Sequence, residues 1–302
     1  MSSDEPTSSF GTISFHFSDK LRFLQFPKSI YHDIRPVLVA VWAPGIQSED
    51  FYGDSYQYQF QGRPFGAFGD EAGVASRRLV RDILAFLYER SWLLVTTICS
   101  TKQKDRKDTL IFRQRQEPAH GLSSSSIGPI AALPSVEWLV VAPQGSARLR
   151  FIYDNDSSRK DLITKTSGRL MSDGTKVTDA ESAALGSSQL VPHDLGLLLD
   201  ALKSAFDKMG CAQTGDWNQD SFEFKLKDKL WRPRGENTVK SRLLLLKLIE
   251  TLDRLGWRSY ASLRHRTEGD DHKKSDTWYF VRPRDWVRGS PFNGELVTPL
   301  LD

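Results

Sequence analysis

The residues of this chain best placed for chemistry by type and spacing are two Ser-Arg pairs, Ser76-Arg77 and Ser241-Arg242. Each opens an apolar pattern of helical period, with Gly69 or Gly235 a few residues ahead. A helix N-terminus carries unpaired N–H groups and a partial positive charge, so serine, arginine and a near glycine could there receive a phosphate or carboxylate. A single glycine before each helix makes neither a P-loop nor a dinucleotide fingerprint. The competing structural role is a serine cap on the first turn, with the arginine paired to Asp108 or Asp276 of its own copy.

Around the second pair lies a basic run, with Lys225, Lys227 and Lys229 followed by Arg232, Arg234, Lys240 and Arg242. Interleaved with Phe222, Phe224 and Trp231, it could track a nucleic-acid backbone and stack bases. The alternation of Phe222, Phe224 and Leu226 with Glu223, Lys225 and Lys227 is also that of a half-buried strand with a solvated outer face. The matching stretch of the first copy has Gln57, Gln59 and Gln61, so a basic function would belong to the second copy alone.

Two other groupings carry less. His265, Glu268, Asp270, Asp271 and His272 crowd one polar tip, but a metal needs ligands in fixed geometry with an oriented second shell. A charged, solvated turn is the expectation there, and no metal or cofactor is implied. His32-Asp33 and His193-Asp194 are neighbours in sequence, which do not face each other on a helix. They read as a histidine ahead of a helix and an aspartate that caps it, and no nucleophile motif accompanies them.

What positions these residues is an internal duplication. The ungapped interval from Ser76 to Trp92 returns as Ser241 to Trp257. Outside it, Tyr56-x-Tyr58-x-Phe60 matches Phe222-x-Phe224-x-Leu226, Phe65 matches Trp231, and Asp108-Thr109 with Phe112 matches Asp276-Thr277 with Phe280. Such self-similarity speaks to architecture before chemistry, since each copy buries its apolar face against something.

Along the chain, Ile13, Phe15 and Phe17, then Leu21 and Phe23, alternate about a polar turn and predict an opening hairpin. Ile30 to Trp42 is apolar but interrupted by Pro36, so it is a helix starting there or two short pieces. Leu195 to Met209 has helical spacing, a start at Pro192 to Asp194 and a stop at Gly210. In the first main helix Leu79, Val80, Ile83, Leu84 and Leu87 share a face opposite charged residues. The leucine set of the second is wider and predicts burial on more than one side.

After each tryptophan a strand, a charged turn and a last strand predict a closing hairpin. Residues 117–134 are rich in Ser, Gly and Pro and read as a loop. Trp138 to Ala142 and Arg148 to Tyr153 read as another hairpin, Leu170 to Val177 as a small one, and Thr178-x-x-Glu181 as a capping box. The expected division is an N-terminal hairpin extension (1–27), copy one (28–116), a connecting segment (117–191), copy two (192–284) and a tail (285–302).

At 302 residues the chain is long enough for one large core or two moderate ones. A net charge of +3 is too mild to imply nucleic acid without a clustered basic face. Two cysteines, Cys99 and Cys211, give no disulfide framework. No apolar run approaches the roughly 20 residues that span a bilayer. Met1 to Ser9 lacks the basic start and apolar core of a secretory signal, so a cytoplasmic or nuclear location is expected.

The fold expected is α+β: two copies of a helix-strand-helix-strand-strand unit about a pseudo-twofold axis, with mainly antiparallel sheet and helices on one face. The function expected is a non-catalytic binding or scaffold protein that takes a protein or peptide partner at the interface between the copies. The alternatives are an anion or nucleic-acid binder using Ser76, Arg77, Arg232, Arg234, Lys240, Ser241 and Arg242, and an enzyme with a site between the repeats.

Overall fold

The computed structural model describes residues 9–66, 70–99, 108–115, 133–153, 193–218, 221–266 and 274–289. They fall into two units of the same plan, with two short helices in the first where the second has one long helix. In the first, β1 (Phe10–His16) and β2 (Lys20–Leu24) precede α1 (Lys28–Asp33) and α2 (Arg35–Val41). Then come β3 (Ile46–Tyr52), β4 (Ser55–Phe60), α3 (Asp70–Glu89), β5 (Trp92–Ile98) and β6 (Thr109–Gln114). In the second, β7 (Val136–Gln144) and β8 (Arg148–Tyr153) precede α4 (His193–Lys208), β9 (Ala212–Asn218) and β10 (Ser221–Leu226). α5 (Asn237–Arg254), β11 (Arg258–Arg266) and β12 (Lys274–Pro283) complete it.

Each unit is three hairpins separated by helices, closed into one antiparallel six-stranded sheet. The first sheet runs β3-β4-β2-β1-β6-β5 and the second β9-β10-β8-β7-β12-β11, the same order position by position. This is a duplicated α+β unit, and it is larger than the repeat read from sequence. The hairpins β1–β2 and β7–β8 open the two units and form the middle of each sheet. Their likeness is hidden because β1 and β2 alternate buried and more exposed residues, whereas β7 is buried almost throughout. A sheet covered on both faces reads as a continuous apolar run.

β3 and β9 also escaped the periodicity argument. They are edge strands with nearly every residue exposed, so neither has an apolar face to alternate. The apolar stretch around Pro36 is two short helices, with Pro36 tolerated at the start of α2, where its missing N–H leaves no bond unmade. α4 ends where Gly210 takes a left-handed conformation (φ 66°). Gly256 (φ 80°) carries a second constraint: a Cβ there would meet the Trp286 ring at 2.5 Å, so the chain after β12 docks on glycine.

The first sheet buries Ile13, Leu21, Phe23, Tyr58, Phe60 and Phe112 beneath α1, α2 and α3. The second sheet is covered twice. Leu139, Val141, Leu149, Phe151 and Phe280 pack with α4 and α5 in one cluster. Trp138, Val140, Ile152, Tyr279 and Val281 join the core of the first unit from the opposite face. α3 therefore lies between two sheets.

That placement reverses the expected burial of the two main helices. From Leu79 to Tyr88 every residue of α3 is buried, the charged Arg81 and Asp82 included. Among the described residues α5 has only its own sheet beneath it, and Leu243, Leu246 and Ile249 are exposed. The wider leucine set marks the helix with fewer neighbours. A twofold arrangement would repeat the α3 contact with α5 on the first sheet, but the matching face of α5 stays open.

Candidate functional site

The seven residues expected to bind an anion separate into two places. Ser76 and Arg77 lie in the second turn of α3, which begins six residues ahead of Ser76 at Asp70, and both are buried. The Ser76 hydroxyl donates to the Pro64 carbonyl, not to the first turn of its own helix. Arg77 points into the seam between the units. Its Nε donates to Thr277 Oγ1 at 3.2 Å and its Nη1 to the Gly73 carbonyl at 2.9 Å. With its amide oxygen turned toward the guanidinium, Gln144 accepts from both Nη atoms at 3.1 Å. Thr277 and Gln144 are thus neutral partners from the other unit and Gly73 is one from its own helix, while the carboxylates expected to pair with the two arginines have other partners. Asp108 accepts from the backbone N–H of Arg264 at 2.7 Å, and Asp276 lies 3.7 Å from the Arg264 guanidinium.

The same seam holds Arg81, whose Nε lies 2.7 Å from Asp82, both side chains almost fully buried. Burying the two charges together offsets a desolvation cost that either alone would bear in full. Tyr88 closes the seam, with its ring edge-on to Trp138 and Tyr260 and its hydroxyl donating to the Pro134 carbonyl at 3.2 Å. Burial pushes the phenols of Tyr88, Tyr260 and Tyr279 well above the ordinary range, and for Tyr279 Arg77 and Arg81 work against that rise. The seam is filled by the chain's own side chains.

The other five residues stand at or just ahead of the start of α5. Arg232, Arg234, Lys240 and Arg242 are all exposed, with Lys240 3.8 Å from Asp228 and the Arg242 Nη1 donating to the Thr238 carbonyl at 3.1 Å. Ser241 is buried beneath them. Gly235 takes φ 55°, while Gly69 lies outside the described residues. Trp231 anchors this corner through its Nε1, which donates to the Arg148 carbonyl at 2.6 Å.

Among the described residues no three of His, Cys, Asp and Glu gather as a metal would require. The tip with Glu268, Asp270, Asp271 and His272 lies outside the described residues, as do the hairpin expected near Ser172 and the capping box at Thr178. His32 meets the Tyr56 ring at 6.1 Å and Asp33 pairs with Arg90 at 3.6 Å, so that pair forms no dyad. His193 and Asp194 start α4. Cys211 is buried, which raises its thiol pKa.

Sequence reasoning missed the outer stripe of α5. Val239, Leu243, Leu246 and Ile249 follow one another at helical spacing and are 61%, 46%, 57% and 45% exposed. In the ungapped alignment of the two helices, Val239, Arg242, Leu246, Ile249 and Asp253 stand where α3 has Val74, Arg77, Arg81, Leu84 and Tyr88. That is the stripe of α3 turned toward the second sheet. The signal was present in the excess leucines of α5, whose side of the helix only the packing could reveal.

The fold and this pair of helices define a protein of two tandem α+β repeats joined through one helix. A family model for a single domain matches the chain twice, over residues 9–113 and 137–281. The chain belongs to that family and carries its domain in two copies, each beginning with the central hairpin. No curated protein and no solved structure matches it. No described helix is long and apolar enough to cross a membrane.

Proposed function

We propose that this chain is a non-catalytic binding or scaffold protein of the cytoplasm or nucleus that engages a protein or peptide partner through its second repeat. One observation carries the reading: the α3 stripe that joins the first repeat to its neighbour has an apolar, solvent-facing equivalent on α5. A contiguous exposed apolar patch on a folded chain marks an interaction surface more often than scattered single residues do. Because the seam between the repeats is filled, the partner surface is drawn on the outer face and not between the copies. Affinity capture from native extract with the natural chain and with Leu246→Glu tests it. Partners held by the first and lost by the second are expected; an identical set on both would contradict the reading.

A second reading rests on the four exposed cations around the start of α5, which would meet phosphates of a nucleic acid. Anisotropy of labelled oligonucleotides would then rise with protein and fall steeply with salt, because phosphate neutralisation releases counterions. Absent or salt-insensitive binding removes it.

A further inference from the structure

We infer that the α5 stripe receives the outer face of the first sheet of a second copy of this chain, so that molecules associate head to tail. The inference rests on the reading of α5 as a binding face and names its partner.

The contact inside the chain is the template. There α3 covers Trp138, Val140, Ile152 and Tyr279. Strand pairing fixes the equivalents in the first sheet. Val140 pairs with Ile152 on one side and Tyr279 on the other, and Thr12 pairs in the same way with Leu24 and Ile111. Phe10 stands for Trp138. The correspondence extends to the side chains: Arg22 donates to Gln57 at 2.9 Å where Arg150 holds Glu223 at 2.9 Å. On the first sheet this face is open, with Phe10 42% and Leu24 36% exposed. Among the described residues, each molecule thus presents a helix stripe without a sheet over it and a sheet face without a helix over it.

The differences between the copies also agree. Where the internal contact has Val281 on the sheet and Ala85 and Tyr88 on the helix, the outer faces have Arg113 on the sheet and Glu250 and Asp253 on the helix. The basic Arg113, which replaces Val281 of the internal contact, thus matches the acidic Glu250 and Asp253 that replace Ala85 and Tyr88. Glu250 now pairs with Lys247 at 2.7 Å, an exposed pair of the kind that exchanges partners at little cost, and Asp253 with the half-buried Arg258. Opposite charge at the rim of an apolar contact fixes register and orientation.

A contact between unlike faces is heterologous and does not close on itself in a pair. That distinguishes it from α5 packing on α5. Sedimentation velocity over a concentration series should show a weight-average mass rising past that of the monomer, and lower for Leu246→Glu and for Leu24→Glu. An equimolar mixture of the two variants should form a heterodimer, since each keeps the face the other has lost. Ile249→Lys and Thr12→Arg repeat the test with other chemistry, and circular dichroism of each variant establishes that it is folded. A natural chain that stays monomeric at its highest attainable concentration overturns the inference. So does a Leu24→Glu variant that associates as well as the natural chain, or a mixture that remains monomeric. If those results come with partners still lost by Leu246→Glu in capture, the proposed function stands and only the identity of the partner falls.

Discussion

Arg77 and Thr277 are 200 residues apart in sequence, yet the Arg77 Nε donates to the Thr277 hydroxyl at 3.2 Å inside the seam between the repeats. Both residues are duplicated, Arg77 as Arg242 and Thr277 as Thr109, but only this one combination meets. Arg242 is exposed and Thr109 half-buried. The two copies therefore use the same positions for different ends, and each copy serves as a control for the other.

Thr277→Val removes the acceptor of a buried charged donor and should cost about 1.5–3 kcal/mol. Thr109→Val at the matching position should fall within about 0.5 kcal/mol of the natural chain. Denaturant unfolding of both variants measures the difference, and equal losses would mean that the Arg77 bond contributes nothing particular.

Leu84 and Ile249 are equivalent residues in opposite environments, fully buried and 45% exposed. Leu84→Ala should destabilise by about 2–5 kcal/mol through lost transfer energy and the cavity left behind. Ile249→Ala should change stability by no more than about 0.5 kcal/mol when the chain is dilute. Thermal unfolding at low concentration checks the pair, and comparable losses would place Ile249 in a core.

The tryptophans that end the duplicated interval are both core anchors. Trp92 packs on Phe26 with ring centroids 4.6 Å apart, and Trp257 carries the Arg282 guanidinium 4.8 Å above its ring. Each is at most 2% exposed. Trp92→Ala and Trp257→Ala should each cost about 3–5 kcal/mol. A loss below about 1 kcal/mol in either would contradict the burial.

Stability should fall in alkali. Burial raises the phenol pKa of Tyr58, Tyr88 and Tyr279 above that of the unfolded chain. A raised folded pKa gives a contribution that is whole below the unfolded value near pH 10 and is lost as pH climbs from there toward the folded value. Each shielded tyrosine then loses up to about 1.4 kcal/mol per pH unit. Tyr279→Phe should lessen the slope of melting temperature against pH in that window, and an unchanged slope would count against it.

Much of this was legible in the residues. The ungapped match from Ser76 to Trp92 with Ser241 to Trp257 established the duplication, and alternation at Tyr56 to Phe60 and Phe222 to Leu226 placed two strands. The central hairpins were seen but not recognised as equivalent, because β7 loses its alternation when α3 covers its second face. Ser76 and Arg77 were read as an anion-receiving pair at a helix start, or as a cap and an ion pair within their own copy. Nothing local distinguishes an arginine facing solvent from one facing another repeat 200 residues away. The open stripe of α5 had the same cause: hydrophobicity reports that a residue seeks cover, and only the packing reports whether the chain supplies it.

The most direct measurement is the rate of maleimide labelling of Ile249→Cys in a Cys99→Ser background, followed as protein concentration rises, beside Leu84→Cys in the same background. Ile249→Cys should react as an open thiol in dilute solution and become protected as molecules associate, while Leu84→Cys stays protected throughout. Protection of Ile249→Cys in dilute solution, or no change in its rate at high concentration, would contradict an α5 face that is open in one molecule and covered by the next.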